Sequence, residues 1–444
     1  MKYFLVTFGC QMNKNDSERI AGFLNFLGMT RSAKAENSDL LIVNTCSVRQ
    51  SAEDRVHGLV RNWSQLKAKK PDLTIAVTGC MPGRDKDGKL KSRLKGVDLY
   101  FPIHEMGVLS RWLGGADLGD YLELAPARTS RFQTFITIQT GCDNYCTYCV
   151  VPQARGREKN RPAKEIINEV KIAIENGAKE IILLGQVVNN YRDPDLPLPN
   201  LPLKKGEGDS FVDLLKELNK LAGLERLHFT AADPRYFSDA QIEALKLPKQ
   251  VNYLHLPVQS GDNEILRKMN RQYTREQYID LIKKIRQAKP SIAIGTDIIA
   301  GFCGETEKQF QNTVALYKEC DFDISYTAMY SQRSGTAAAR AFKDDVPRLE
   351  KKRRWQILQE LMEETTYRKN QKYIGKTVSV LADKCEAGIC SGNSSEMKLA
   401  QFAGAKNLIG KILDVKITSA DVWVLKGEII LPLPNPPLIY EMSE

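Results

Sequence analysis

Residues 135–149 read Phe-Ile-Thr-Ile-Gln-Thr-Gly-Cys-Asp-Asn-Tyr-Cys-Thr-Tyr-Cys. The opening of this stretch, 135–139, has the β-branched and aromatic character of a strand. A loop follows in which Gly141 precedes Cys142, Cys146 and Cys149 at C-x3-C-x2-C spacing. Soft thiolate ligands select zinc or iron–sulfur clusters. Zinc sites use paired C-x2-C motifs or Cys/His sets, yet the chain has no second C-x2-C and only four His. A typical [4Fe-4S] cluster takes four thiolates. Three thiolates in one short loop, with no fourth nearby, leave one iron open, so the metal reading is a reactive [4Fe-4S] cluster.

Strand-then-helix units continue outward from this loop. Candidate strands at 135–139, 180–184, 226–230, 253–258, 292–298 and 324–329 alternate with helical stretches such as 163–176 and 274–287. Six such units predict an open, TIM-like (β/α)6 barrel. A loop over 193–209, rich in Pro, Gly and charge, interrupts it. The cysteine loop follows the first barrel strand, so it belongs at the C-terminal mouth, where barrel enzymes do chemistry.

Upstream, strands are expected at 2–7, 39–43 and 73–77. A helix is expected at 17–27, with Ile20, Phe23, Leu24 and Leu27 on one face behind the capping candidates Asn15 and Asp16. This α/β pattern predicts a doubly wound parallel sheet. Cys10, Cys46 and Cys80 each fall just past one of its strands. Strand C-termini of a parallel sheet share one edge, so three cysteines remote in sequence should converge there as a second ligand set. A single buried thiol would be ordinary; three at equivalent strand ends are not. Cys303, Cys320, Cys385 and Cys390 lack such placement, and the last two are expected to be plain thiols on a loop.

Periodicity fades around 114–126, which reads as a linker. A long helix is expected at 347–373, with Lys351, Lys352, Arg353 and Arg354 crowding its start. Short strands at 377–382, 397–402, 412–417 and 423–430 then suggest a small β-barrel before a Pro-rich terminus. The expected domains are 1–115, 128–371 and 372–442.

The chain has 444 residues and a formal net charge of +10, a balance compatible with an RNA partner. No apolar run approaches the roughly 20 residues needed to cross a bilayer, and residues 1–8 lack the long apolar core of a signal peptide. A cytoplasmic protein is expected, in which ten cysteines are metal ligands or free thiols rather than disulfides.

The motifs together resemble the methylthiotransferase family of radical S-adenosylmethionine enzymes over nearly the whole chain. Thr7-Phe8-Gly9-Cys10-Gln11-Met12-Asn13 with Asp16-Ser17-Glu18, then Asn44-Thr45-Cys46-Ser47-Val48-Arg49 and Gly79-Cys80, are similar to its three N-terminal ligand motifs. The resemblance implies two [4Fe-4S] clusters. One, at Cys142, Cys146 and Cys149, binds S-adenosyl-L-methionine and cleaves it to a radical. The other, auxiliary cluster, at Cys10, Cys46 and Cys80, presents the sulfur to be inserted. The tail resembles the small TRAM barrel with which these enzymes hold substrate.

Among the family's substrates, the wording of Arg155-Gly156-Arg157-Glu158, of Leu184-Gly185-Gln186-Val187-Val188-Asn189-Asn190-Tyr191 and of His255-Leu256-Pro257-Val258-Gln259-Ser260-Gly261 is most similar to the branch acting on isopentenylated adenosine at position 37 of tRNA. The alternatives are threonylcarbamoylated adenosine in tRNA and a ribosomal-protein aspartate. Departures include Val187, Asn160 and Cys303, where the family has Asn, Ser and Pro. The tail carries eight Lys and no Arg against eight Asp and Glu from residue 371 onward, so it is a weak phosphate binder. The resemblance implies an adenine contact for Tyr148. Gln186, Gln259, Ser260 and Asp297, at or near strand ends, are candidates for polar contacts to the cofactor. Arg155, Arg157 and Arg161 are candidates for phosphate or the cofactor carboxylate, with Glu158 a partner for one of them. An electron donor such as a flavodoxin or ferredoxin and a monomeric state are also expected.

Overall fold

Alternate residues of one strand feed two different cores in the N-terminal sheet. Leu40 and Ile42 pack with Tyr3, Ile20 and Leu24, while Leu41 and Val43 pack with Val56, Trp63 and Val77. Both faces of this strand are therefore covered, as a parallel sheet requires. In the computed structural model, which describes residues 1–47, 50–116, 118–196 and 209–430, five parallel strands make this sheet. They are β1 (Lys2–Thr7), β2 (Thr30–Arg31), β3 (Leu40–Thr45), β4 (Thr74–Gly79) and β5 (Leu99–Tyr100), in the order β2-β1-β3-β4-β5. The order reverses between β1 and β3, and the crevice at that switch point is where open α/β sheets bind ligands. The edge strands β2 and β5, two residues each, are too short to carry a period.

The first helix, Gln11–Phe26, starts well before the expected residue 17. Its early residues Asn13, Asn15, Asp16, Glu18 and Arg19 are buried although polar. Asn13 turns to the sheet, while Asn15 faces the barrel, donating to the Phe135 carbonyl at 3.0 Å and accepting from the Thr137 hydroxyl at 2.8 Å. Ile20, Phe23 and Leu24 face the sheet. A helix buried on two sides loses the one-sided apolar stripe that would have marked its start.

The barrel strands are β6 (Gln133–Thr137), β9 (Glu180–Leu184), β10 (Arg226–Phe229), β11 (Tyr253–His255), β12 (Ala293–Ala300) and β13 (Ile324–Met329). They form two parallel three-stranded sheets, β10-β9-β6 and β11-β12-β13. A short ribbon of β7 (Gln139–Thr140) and β8 (Lys159–Asn160) brackets the cysteine loop. Capping boxes at Thr274 and Thr306 start two of the barrel helices. The N-terminal sheet and the barrel form one unit, Met1–Glu360, and Leu361–Glu444 forms the other.

Helix Arg348–Gln371 opens on basic residues, but two of them are buried. Lys351 pairs with Asp344 at 2.5 Å, and Arg354 pairs with Glu305 at 2.8 Å. In the second unit, β14 (Thr377–Glu386), β15 (Ile389–Ser394), β16 (Leu399–Ala403), β17 (Ile412–Ala420) and β18 (Leu425–Ile429) close into a barrel in the order β14-β15-β16-β18-β17. Strand β15 occupies a segment expected from its composition to be a loop. Cys385 and Cys390 are therefore direct partners across the β14–β15 hairpin and are joined by a disulfide, not free thiols. The two turn residues between them, Ala387 and Gly388, both adopt positive φ, the geometry of a tight hairpin turn that places the cysteines opposite each other. Most of the 193–209 loop, Val48 and Arg49 of the second cysteine motif, and the Pro-rich terminus lie outside the described residues.

Candidate active site

The loop bearing Cys142, Cys146 and Cys149 is held from both sides. Gly141 has φ +68°, and a Cβ there would lie 1.9 Å from the Arg157 carbonyl, so only glycine lets the loop back onto the chain that returns from it. On the other side Thr147 donates to the Met269 carbonyl at 3.0 Å, and Asn270 donates to the Asn144 and Tyr145 carbonyls at 3.1 Å each. Each sulfur has a donor: the Asn144 amide to Cys142 at 3.4 Å, Arg271 Nη1 to Cys146 at 3.5 Å and the Val151 amide to Cys149 at 3.4 Å.

Burial pushes the Cys142 thiol up to about 11 and the Cys149 thiol up to about 12, against the pull of the Asn144 and Val151 amides. Such thiols stay protonated in water, whereas a coordinated metal deprotonates them outright. Soft ligands, N–H donors at every sulfur and burial fit an iron–sulfur cluster. Among the described residues no three His, Cys, Asp or Glu side chains gather closely enough for a single metal ion. A cluster of several irons spreads its ligands wider than one ion does.

The second triad lies at the switch point. Cys10 follows β1, Cys46 follows β3 and Cys80 follows β4, where it opens helix Cys80–Arg84. A buried amide network sets these ends. Asn13 donates to Asn44 Oδ1 at 3.2 Å and to the Thr45 carbonyl at 3.1 Å, and Asn44 donates back to the Asn13 carbonyl at 2.8 Å. Gly79 has φ +97°, and a Cβ there would sit 2.4 Å from Asn44 Oδ1 and 2.5 Å from the Thr45 carbonyl oxygen. Burial raises Cys80, and the adjacent Arg155 opposes that rise. Cys10 is exposed and donates to Asn13 Oδ1 at 3.4 Å.

Cys10 of the second triad and all three cysteines of the loop line one cavity of about 390 Å³. Tyr148, Gln186, Gln259 and Asp297 also line it. Gln259 does so from a left-handed backbone, φ +69°. Ser260 does not line it; it is fully buried against Thr313 and its hydroxyl accepts from the Asp262 amide at 3.3 Å. The three arginines separate. Arg155 is 7% exposed and paired with Asp16 at 2.6 Å; Arg161 is equally buried and paired with Glu169 at 2.7 Å. Neither faces solvent, because both brace the barrel against the first helix or its own neighbour. Arg157 alone is open, its side chain 80% exposed beside Asp143 at 2.8 Å. Glu158 accepts from Asn160 and Asn190 rather than from an arginine, and burial raises its pKa.

Sequence reasoning missed three cavity residues. Arg271 reaches Cys146 and is paired with Asp233 at 3.2 Å, and Asp233 accepts from Asn144 at 3.1 Å. His255 Nε2 stands 3.3 Å from Asp297. Only His255 carried a hint, since it lies within a predicted barrel strand, two positions after Tyr253; the other pair come from a loop and a turn without any period.

Residues 2–102 match the family model described as Uncharacterized protein family UPF0004, and residues 136–317 match that of the Radical SAM superfamily. The chain is 41% identical over 445 residues to the tRNA-2-methylthio-N(6)-dimethylallyladenosine synthase of Clostridium botulinum (strain Hall), with 96% of each chain covered. It is 40% identical over 448 residues to the synthase of the same name from Bacillus cytotoxicus, covering 97% of this chain and 86% of that one. Among solved structures it is similar in fold to the cobalamin-dependent S-adenosylmethionine radical enzyme OxsB with aqua-cobalamin and S-adenosylmethionine bound. That match has a TM-score of 0.50 and 12% identity, and covers 80% of this chain and 56% of that one.

Proposed function

Since the chain belongs to the methylthiotransferase family of radical S-adenosylmethionine enzymes, we propose that it inserts a methylthio group at C2 of N(6)-isopentenyladenosine, at position 37 beside the anticodon of tRNA. The observation that carries this reading is the shared cavity: Cys10 of one triad and all three cysteines of the other line the same space. Cys142, Cys146 and Cys149 would hold one [4Fe-4S] cluster, and Cys10, Cys46 and Cys80 the other. When bound, the first supplies the electron for reductive cleavage of S-adenosylmethionine, chemistry suited to a C–H bond too inert for acid–base attack.

The chain's own residues prepare that space. Arg271, fixed by Asp233 and by the Tyr273 hydroxyl at 3.1 Å, holds a positive charge at Cys146. Met12, Leu184, Val187 and Val151 give the cavity an apolar wall. Gln186, Gln259 and Asp297 offer the polar groups that would orient a cofactor, and Tyr148 a ring face for its adenine. Arg157, open beside the cluster loop, would meet RNA phosphate once it leaves Asp143. An adenine read in a pocket must first leave the anticodon-loop stack, as single-stranded RNA bases do when recognised. A one-electron donor of the flavodoxin or ferredoxin kind completes the scheme.

The test is anaerobic reconstitution with iron and sulfide, then reaction with S-adenosylmethionine, dithionite and isopentenylated tRNA, with nucleosides read by mass spectrometry. The wild type should bind about eight irons and form the methylthio product, and a Cys10/Cys46/Cys80→Ala variant should bind about four and form none. Cofactor cleavage without methylthio product in a wild type holding about four irons would sink the proposal.

A further inference from the structure

Arg155 belongs to the barrel, as the last residue of the short helix that follows Cys149, yet its charge is directed to the N-terminal domain. Helix Val151–Arg155 packs on helix Cys80–Arg84, and the contact is backbone to backbone: a Cβ on Gly83 would lie 2.1 Å from the Ala154 carbonyl oxygen. This close approach carries the Arg155 guanidinium to Cys80. One side of the guanidinium is held, with Nη2 on Asp16 Oδ2 at 2.6 Å and Asp16 in turn accepting from the Tyr121 hydroxyl at 3.3 Å. The other side is not: Nη1 is buried and has no hydrogen-bond partner. A buried cationic N–H without an acceptor is costly. Nη2 is occupied by Asp16, and the Cys80 thiol is the group the guanidinium also meets.

We propose that Arg155 is a positioning residue for the cluster held by Cys10, Cys46 and Cys80, its Nη1 supplying a fixed positive charge and an N–H donor to the sulfur at Cys80. This rests on the two-cluster reading above. A fixed cation in a low-dielectric site favours the state with the extra electron, and hydrogen bonds to cluster sulfurs tune the potential in the same direction. The barrel thereby sets the potential of a cluster that the other domain ligates.

The experiment is an anaerobic redox titration followed by electron paramagnetic resonance. It uses the full-length chain with Cys142, Cys146 and Cys149 replaced by Ala, so that one cluster gives the signal. Arg155→Met should lower the midpoint potential by at least a tenfold change in the reduction equilibrium, 59 mV for one electron. Arg155→Lys keeps the charge and should stay near the parent. Asp16→Asn removes the counter-charge but leaves Arg155, so its potential should rise. A bracing role alone predicts no opposed shifts, because both variants loosen the same contact. Met and Asn variants that leave the potential unmoved, or move it the same way, overturn the inference while the two-cluster reading stands. A parent chain that binds no cluster overturns both.

Discussion

Glu169 offers the sharpest separation between an interior brace and an RNA contact. It lies on helix Ala163–Glu175 and accepts from three guanidiniums of different origin. Arg19 of the first helix binds it through two bonds of 2.9 and 3.0 Å, Arg161 at 2.7 Å and Arg128, just ahead of β6, at 2.5 Å. Burial raises its pKa, but the three arginines overcome this and hold it below the usual glutamate range. Glu169→Gln keeps the shape and removes the charge, leaving buried cations short of a partner. Breaking such a pair costs about 3–5 kcal/mol. Spread over a unit of 360 residues at about 2.1 cal/mol/K per residue, this lowers the Tm by about 4–7 °C.

The assay is thermal unfolding at neutral pH and again in acid. A carboxylate with a depressed pKa contributes above its unfolded value of 4.5 and loses that contribution as pH falls through its folded one. The gap between wild type and variant should therefore narrow in acid. An E169Q that melts within about 1 °C of wild type would refute the reasoning. So would one that loses tRNA affinity at an unchanged Tm, since Arg161 would then be a phosphate contact after all.

Gly79→Ala should cost the second cluster alone: iron falls from about eight to about four, with the signal of the Cys142 cluster intact. Full iron in this variant would mean that the Asn44 and Thr45 contacts at Gly79 can give way. His228 is buried with neither ring nitrogen partnered, and burial lowers its pKa to about 4. The unfolded chain therefore takes up a proton first, so stability should decline as pH falls from about 6.5 to about 4, by up to about 3 kcal/mol. His228→Leu should flatten that decline, and an unchanged acid profile would rule it out. Arg157→Ala should weaken tRNA binding and reduce its salt dependence by about one counter-ion, with no shift in Tm. Unaltered affinity would leave the open arginine without a role.

The strands that carry the site were legible because each is a short apolar run ended by a turn or a cysteine. β1, β9 and β13 match the expected bounds residue for residue. The convergence of Cys10, Cys46 and Cys80 followed from topology alone, since three parallel strands that end at one edge must bring their next residues there. What was illegible has three physical causes. Two-residue strands have no period, so β2 and β5 escaped. Polar residues buried between two layers look like accessible ones in sequence, so the first helix is expected late, Arg155 and Arg161 read as contacts for phosphate or the cofactor carboxylate, and Lys351 and Arg354 as part of a basic helix start. Strand β15, Ile389–Ser394, failed for a third reason: Cys-Ser-Gly-Asn-Ser within it has turn-like composition, and only closure of the barrel around Gly392, whose Cβ would meet the Leu381 carbonyl at 1.8 Å, makes it a strand.

The two cysteine triads also differ in when they can exist. Cys142, Cys146 and Cys149 belong to one loop, and closing a short loop is entropically cheap. That triad can gather around iron as soon as its own turn has formed. Cys10, Cys46 and Cys80 are brought together only after β1, β3 and β4 have paired, contacts of long sequence separation that form slowly. Iron offered to a chain still folding should therefore load the barrel loop first. The second site must wait for the sheet, and a chain stalled in folding would emerge with one cluster and half of its chemistry.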